Sequence, residues 1–292
     1  MSEESLASPL SNISIPGSEI VTDSASGREV FHVANPHALT QAAGYLKFIE
    51  GPARRGVFFR GQRKLYKTLS PTLFRDIATQ EAQSRRIRAL RQACASIARE
   101  NIIFDQIPPE AHEPLLQHYG LNTSWLDLVD NIWIALWFAC HRAMAVGPSG
   151  CFLHFERRDP ADEQEAFAYI LLVAADIVPS DPFVPGLWRG SNTELVDLRV
   201  SAPSIFLRPH AQHGVLFRMR GNAVRRPLDY APQVVGTIRV DLRHALKWLG
   251  EAATLSTHAL FPPPFYDKGY GFLLERPLPA DRMVGGIQHI GS

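Results

Sequence analysis

The sequence lacks most of the short signals from which a function is ordinarily read. It has three cysteines, Cys94, Cys140 and Cys151, and no two have the spacing of a metal knuckle or a redox CxxC pair. A sparse, odd set fits a reducing compartment, so a cytoplasmic location is expected. Cys94 and Cys140 fall in apolar helical patterns, as core thiols do. There is no GxGxxG, no GxxxxGK[ST], no HExxH and no GxSxG, which removes the common dinucleotide, P-loop, metalloprotease and serine-hydrolase formulas. The most apolar run, residues 132–140, is far too short to span a bilayer. The first twenty residues have neither the basic start nor the apolar stretch of a signal peptide. No membrane partner is expected. Charge of one sign is also missing: 30 basic residues face 29 acidic ones, so neither a broad nucleic-acid-binding surface nor an acidic tail is indicated.

What is present is enough for a substantial core. Of 292 residues, 46% are hydrophobic and 20% charged, which excludes wholesale disorder. Residues 1–28 are rich in Ser, Gly and acidic residues and are expected to form a mobile tail. Helical periodicity marks residues 37–50 and 79–101, and residues 110–119 form a shorter helix closed by Gly120. The helix at 79–101 has Ile87, Leu90, Cys94 and Ile97 on one side, and Arg85, Arg86, Arg88, Arg91 and Arg99 populate the rest. The stretch 57–61 reads as a strand ending in glycine. Residues 69–75 are expected to pack back on the core through Leu69, Leu73 and Phe74. Residues 132–140 form a helix with no polar face, capped by Asp127 or Asp130 and central in the core. Later segments, 150–155, 166–173, 204–207, 214–219 and 234–240, are β-like, and Asp241 opens a short helix. The C-terminus near Gly285-Gly286 is expected to be loose. The expected architecture is α+β: one domain over 29–292, with a mixed or antiparallel sheet core and helices concentrated in the N-terminal half.

Four polar points stand against this apolar background. Arg60 ends an apolar strand and precedes Gly61. Its guanidinium suits bidentate binding of phosphate or carboxylate, with Gly61 allowing a ligand close to the backbone; a structural salt bridge to Asp127 or Asp130 is the alternative. Gln117-His118-Tyr119 supplies a candidate base, donor or metal ligand flanked by neutral polar groups, against the alternative of a packed structural histidine. Asp127 either caps the apolar helix or fixes Arg60 or His118. Arg208, His210, Gln212 and His213 form a plausible site rim, but two histidines alone do not make a zinc site, and no metal is expected. Glu194 and Glu275 are isolated candidate acids.

These residues resemble the FRG domain family, named for a Phe-Arg-Gly motif, here Phe59-Arg60-Gly61. Supporting segments are Leu69-Ser70-Pro71-Thr72-Leu73-Phe74-Arg75, the run from Leu116 to Asp127, and Ala135-Leu136-Trp137-Phe138-Ala139. The Arg208 to Phe217 stretch and Leu260-Phe261-Pro262 are also similar. Three positions depart from the pattern: Ser124 stands where an arginine is usual, Leu128 where a tryptophan is usual, and Pro263 where an acidic residue is usual. Members of the family occur in bacteria and phages, often near defence or toxin-like systems. The Arg-Gly strand is in turn distantly similar to the NAD-binding strand of ADP-ribosyltransferases. That resemblance implies NAD as a possible substrate, gripped by Arg60, with Thr123 and Ser124 at the nicotinamide side and Glu194 polarising the ribose or acceptor.

Three function classes follow. The first is a nucleotide-using enzyme, ADP-ribosyltransferase-like or NAD-consuming, with His118 and Glu194 catalytic and Arg60, Gly61, Gln117, Tyr119, Thr123, Arg208 and Gln212 holding the nucleotide. The second is a non-catalytic nucleotide or nucleic-acid sensor, using the arginine-rich helix for the latter. The third is a structural or protein-partner module. Convergence of Arg60, His118, Asp127 and Arg208 on an open cavity separates the first two from the third.

Overall fold

A computed structural model describes residues 9–77, 79–147, 151–161, 166–220, 228–250, 255–275 and 283–291. The architecture is α+β, with the longer helices in the N-terminal half. The strands in chain order are β1 (Ser18–Thr22), β2 (Glu29–Val33), β3 (Arg55–Gln62), β4 (Leu126–Val129), β5 (His141–Val146), β6 (Phe152–Arg157), β7 (Phe167–Asp176), β8 (Leu187–Arg189), β9 (Thr193–Asp197), β10 (Gly214–Met219), β11 (Val234–Asp241) and β12 (His289–Gly291). Nine of them form one sheet in the order β1-β2-β11-β7-β3-β4-β10-β9-β8, and the others form a second sheet, β12-β6-β5. Within the large sheet only β2 and β11 run parallel.

The helices are α1 (Pro36–Glu50), α2 (Gln80–Glu100), α3 (Pro109–His118), α4 (Ile132–Cys140), α5 (Leu198–Ser201), α6 (Leu207–Ala211), α7 (Leu242–Leu249), α8 (Thr257–Leu260) and α9 (Lys268–Glu275). Strand β7 alternates between two cores, as the two-residue period requires. Ala168, Ile170, Leu172 and Ala174 join the cluster built with α1, α4 and α7, while Leu171, Val173 and Ala175 join the opposite one. Buried on both faces, β7 reads as an unbroken apolar run. A third cluster unites α2, α3, α5 and α9 around Phe104, Leu115, Tyr119 and Phe206. No helix among the described residues is long and apolar enough to cross a membrane.

Helix α4 matches its expected bounds, and its lack of a polar face is explained by burial of seven of its nine residues. Its cap is a correction: Asn131, not Asp127 or Asp130, accepts from the Trp133 amide. Other expectations change too. Part of the expected mobile tail is built into the fold: β1 pairs with β2 across the anticipated boundary at residue 28, and Leu10 and Ile15 are buried in the α1 core; residues 1–8 lie outside the described residues. The stretch 204–207 is no strand, since Phe206 sits buried as the N-cap of α6. Nor is the C-terminus loose where it is described, because β12 pairs in parallel with β6 and Val284 and Ile287 are buried.

Candidate functional site

The cleft begins where the large sheet comes apart. Strands β3 and β7 stay paired from Arg55↔Asp176 to Gln62↔Tyr169, but β3 and β4 share one paired position, Phe59↔Val129. Beyond it the two strands diverge. Arg60 spans the gap, its Nη1 donating to the Asp127 carbonyl oxygen at 2.7 Å. Neither a salt bridge to the Asp127 carboxylate nor one to Asp130 forms; Asp130 instead pairs with Lys47 at 2.9 Å and Arg199 at 3.6 Å. Arg60 Nε has no hydrogen-bond partner. Burial lowers the pKa of this guanidinium, with Asp127 opposing and Arg75 adding to the shift. Arginine nevertheless remains protonated, so its charge is only partly answered by protein.

Gly61 has a packing role. A Cβ there would lie 1.9 Å from the Ala135 carbonyl oxygen and 2.8 Å from the Ala139 amide nitrogen. The glycine lets the backbone of α4 rest directly on β3, a packing reason for this residue beside the ligand approach expected from sequence, since Gly61 also borders both cavities.

Two arms open around Arg60. One, of about 270 Å³, is bordered by Gln117, His118, Asp127 and Gln212 together with Phe138, Phe155 and Phe261. The other, of about 640 Å³, is bordered by Arg60, Arg63, Lys67, Arg75, Tyr66 and Ser70. Asp127 is the sole carboxylate bordering either arm among the described residues. The first arm is therefore aromatic and mostly neutral, and the second is cationic.

Hydrogen bonds fix the polar side chains of the first arm. Gln117, in the last turn of α3, donates through Nε2 to Asp127 Oδ2 at 2.7 Å. The Thr123 hydroxyl donates to Gln117 Oε1 and accepts from the Trp125 amide at 3.1 Å, which sets the amide's orientation. The Gln212 amide donates to the Leu260 carbonyl at 2.9 Å. His118 packs on β10 where Gly214 stands, since a Cβ at 214 would fall 2.3 Å from the ring. It is 8% exposed, and neither ring nitrogen has a partner. Burial is the chief cause that brings its pKa down to about 4, with Arg208 acting the same way against Asp127 and Asp267. The ring is neutral at neutral pH.

The expected site residues thus divide into two groups. Arg60, Gly61, Gln117, His118 and Gln212 border the cleft, as does Asp127. Thr123 stands behind Gln117. Arg208 and Tyr119 lie deeper and border neither arm. Arg208 Nη1 donates to the His118 carbonyl at 2.6 Å, and its guanidinium lies 4.4 Å from the Tyr119 ring and 4.6 Å from that of Tyr270. Tyr119 is fully buried and donates to Asp267 Oδ2 at 2.7 Å. Both lie behind the backbone that carries His118, and among the described residues they line neither arm.

Glu194 is elsewhere. On β9 it sits opposite Arg218 and Arg189 in the strand register, is 1% exposed and pairs with Arg189 at 2.7 Å and with Arg218 Nε at 2.7 Å. Burial raises its pKa, yet the two arginines hold it below the usual value. Its oxygens are committed to structural ion pairs, and it borders neither arm. The role of polarising a ribose does not fit its position.

One polar residue absent from the sequence expectations borders both arms: His141, the first residue of β5. It stacks on Trp137 four residues earlier, with ring centroids 3.9 Å apart and planes at 17°. The i, i+4 spacing of Trp137 and His141 was the available signal, hidden behind an apolar helix.

The architecture is therefore an α+β protein with a two-armed cleft opened between neighbouring strands of its main sheet. Residues 55–146, running from β3 through β5, match the family model for the FRG domain; an FRG domain is present there. This stretch contains every polar residue of the cationic arm, and Gln117, His118, Asp127 and His141 of the other. No curated protein and no solved structure matches the chain.

Proposed function

We propose that the cleft binds a nucleotide-type small molecule, with its phosphates in the cationic arm and its nucleoside in the aromatic arm. The observation behind this reading is that two arms of different character adjoin and share Arg60 as lining. Three further cations, Arg63, Lys67 and Arg75, border the larger arm, where guanidinium forks and an ammonium suit phosphate oxygens. Phe138, Phe155 and Phe261 with neutral His118 and two glutamines suit a flat heterocycle that needs both stacking and hydrogen bonds.

NAD is the candidate substrate within this class, and the protein would then be an NAD-consuming or ADP-ribosyltransferase-like effector of a bacterial defence or toxin-like system. Departure of nicotinamide breaks a C–N bond and leaves positive charge on the ribose, which a fixed carboxylate stabilises. Asp127, oriented by Gln117, takes the acid's role in this reading in place of Glu194.

Calorimetry with pyrophosphate, ADP and NAD, on the wild type and on Arg60→Ala and Arg60→Lys, tests the assignment, with chromatography for released nicotinamide. Binding that weakens in both variants supports it. Absence of binding to all three overturns it. Binding of NAD without nicotinamide release favours the sensing module over the enzyme.

A further inference from the structure

Two polar side chains border both arms of the cleft, Arg60 and His141. In a nucleotide lying along the cleft, the group at that junction is the sugar, between phosphate and base. Arg60 faces it as a cation. What His141 presents is fixed by its surroundings. Its Nδ1 is 2.7 Å from the Trp137 carbonyl oxygen. A carbonyl only accepts, so Nδ1 carries the proton, and in the neutral ring Nε2 keeps its lone pair. Stacking on Trp137 holds the ring plane. Nε2 has no protein partner among the described residues.

Resting on the nucleotide reading above, we propose that His141 is a specificity-determining residue: Nε2 accepts a hydrogen bond from a sugar hydroxyl of the bound ligand. The ring is set for this before the ligand arrives, because its tautomer and its plane are both fixed by Trp137. A hydroxyl is the donor a nucleotide sugar offers, whereas a phosphate oxygen offers none. Burial lowers the pKa of the imidazole, and Arg157 acts in the same direction against the Trp137 hydrogen bond, which favours the neutral, accepting form. The site thus selects for a hydroxylated sugar at the junction and disfavours a deoxygenated one.

The test is calorimetry with ADP and 2′,3′-dideoxy-ADP on the wild type, His141→Phe and His141→Gln. Phenylalanine keeps a ring over Trp137 and removes both nitrogens; glutamine restores a donor and an acceptor on a flexible stem. Pyrophosphate binding and circular dichroism verify that each variant is folded. The wild type is expected to prefer ADP by about tenfold, the worth of one good hydrogen bond. His141→Phe should lose that preference and His141→Gln should regain part of it. Equal affinity of the wild type for the two nucleotides, or a His141→Phe variant that weakens both equally, overturns the assignment while leaving the nucleotide reading intact. Wild type that binds pyrophosphate and neither nucleotide overturns both.

Discussion

Arg60 Nη1 donates to the Asp127 carbonyl oxygen at 2.7 Å, directly beyond the one position at which β3 and β4 pair. The guanidinium thus replaces a missing ladder bond, while its Nε is buried without a partner. Arg60→Ala removes the bond and the charge. It is expected to cost about 1.5–3 kcal/mol of stability, the range for a hydrogen bond involving a charged group, and to reduce pyrophosphate affinity at least about tenfold. Arg60→Lys keeps the charge without the fork and should fall between. Urea denaturation and calorimetry on the same samples separate the two effects.

At Gly61 the backbone of α4 lies directly against β3. Gly61→Ala would drive its Cβ against backbone atoms of Ala135 and Ala139, which a side-chain rotation cannot relieve. The helix must move, so a loss of about 1–3 kcal/mol or more is expected, as for an overpacked core. A drop in the urea midpoint with an unchanged slope checks it. An unaffected midpoint would mean that α4 does not rest on β3 as described.

Glu194 is held in ion pairs with Arg189 and Arg218, whereas Asp127 borders the cleft. Glu194→Gln leaves Arg189 and Arg218 without the carboxylate they share and should destabilise by about 1–3 kcal/mol, moderated by the partial exposure of both arginines. Nucleotide affinity measured well below the melting temperature should not change, because Glu194 borders neither arm. Asp127→Asn should do the reverse, with a small change in stability and a loss of nicotinamide release if NAD is turned over. Thermal melts paired with the chromatographic assay distinguish them.

The sequence made the apolar frame legible and the polar wiring much less so. Strand β10 and helix α4 occupy their expected ranges because burial on several sides leaves continuous apolar runs. Strand β4 gives little signal because Asp127 interrupts a four-residue element. β1 is a short edge strand paired only with β2, and the place of β12 depends on the distant β6. Arg60, Gln117, His118 and Asp127 stood out as polar points among apolar segments, and they do converge. Sequence could not separate them from Arg208 and Tyr119, which are equally polar but sealed behind the cleft, nor from Glu194, whose two arginine partners arrive from neighbouring strands. His141 was missed for the same reason: its importance lies in two cavities that meet only after folding.

His118 supplies a pH-dependent prediction. Its pKa in the folded protein is about 4, against 6.5 for the free side chain. A group with a lowered folded pKa binds protons more readily when unfolded. Its contribution is therefore fully present above about pH 6.5 and is lost as pH falls toward 4, reaching at most about 3 kcal/mol. His118→Gln, neutral at every pH, should flatten that part of the stability profile whatever it does to stability at pH 7. Urea titrations between pH 4 and 7.5 on both proteins measure the difference. Parallel profiles would show that the His118 ring reaches water and protonates in the folded state. A bound nucleotide gives the complementary check: if it supplies partners to the unpaired ring nitrogens, the wild-type profile changes shape on adding ADP and that of His118→Gln changes less.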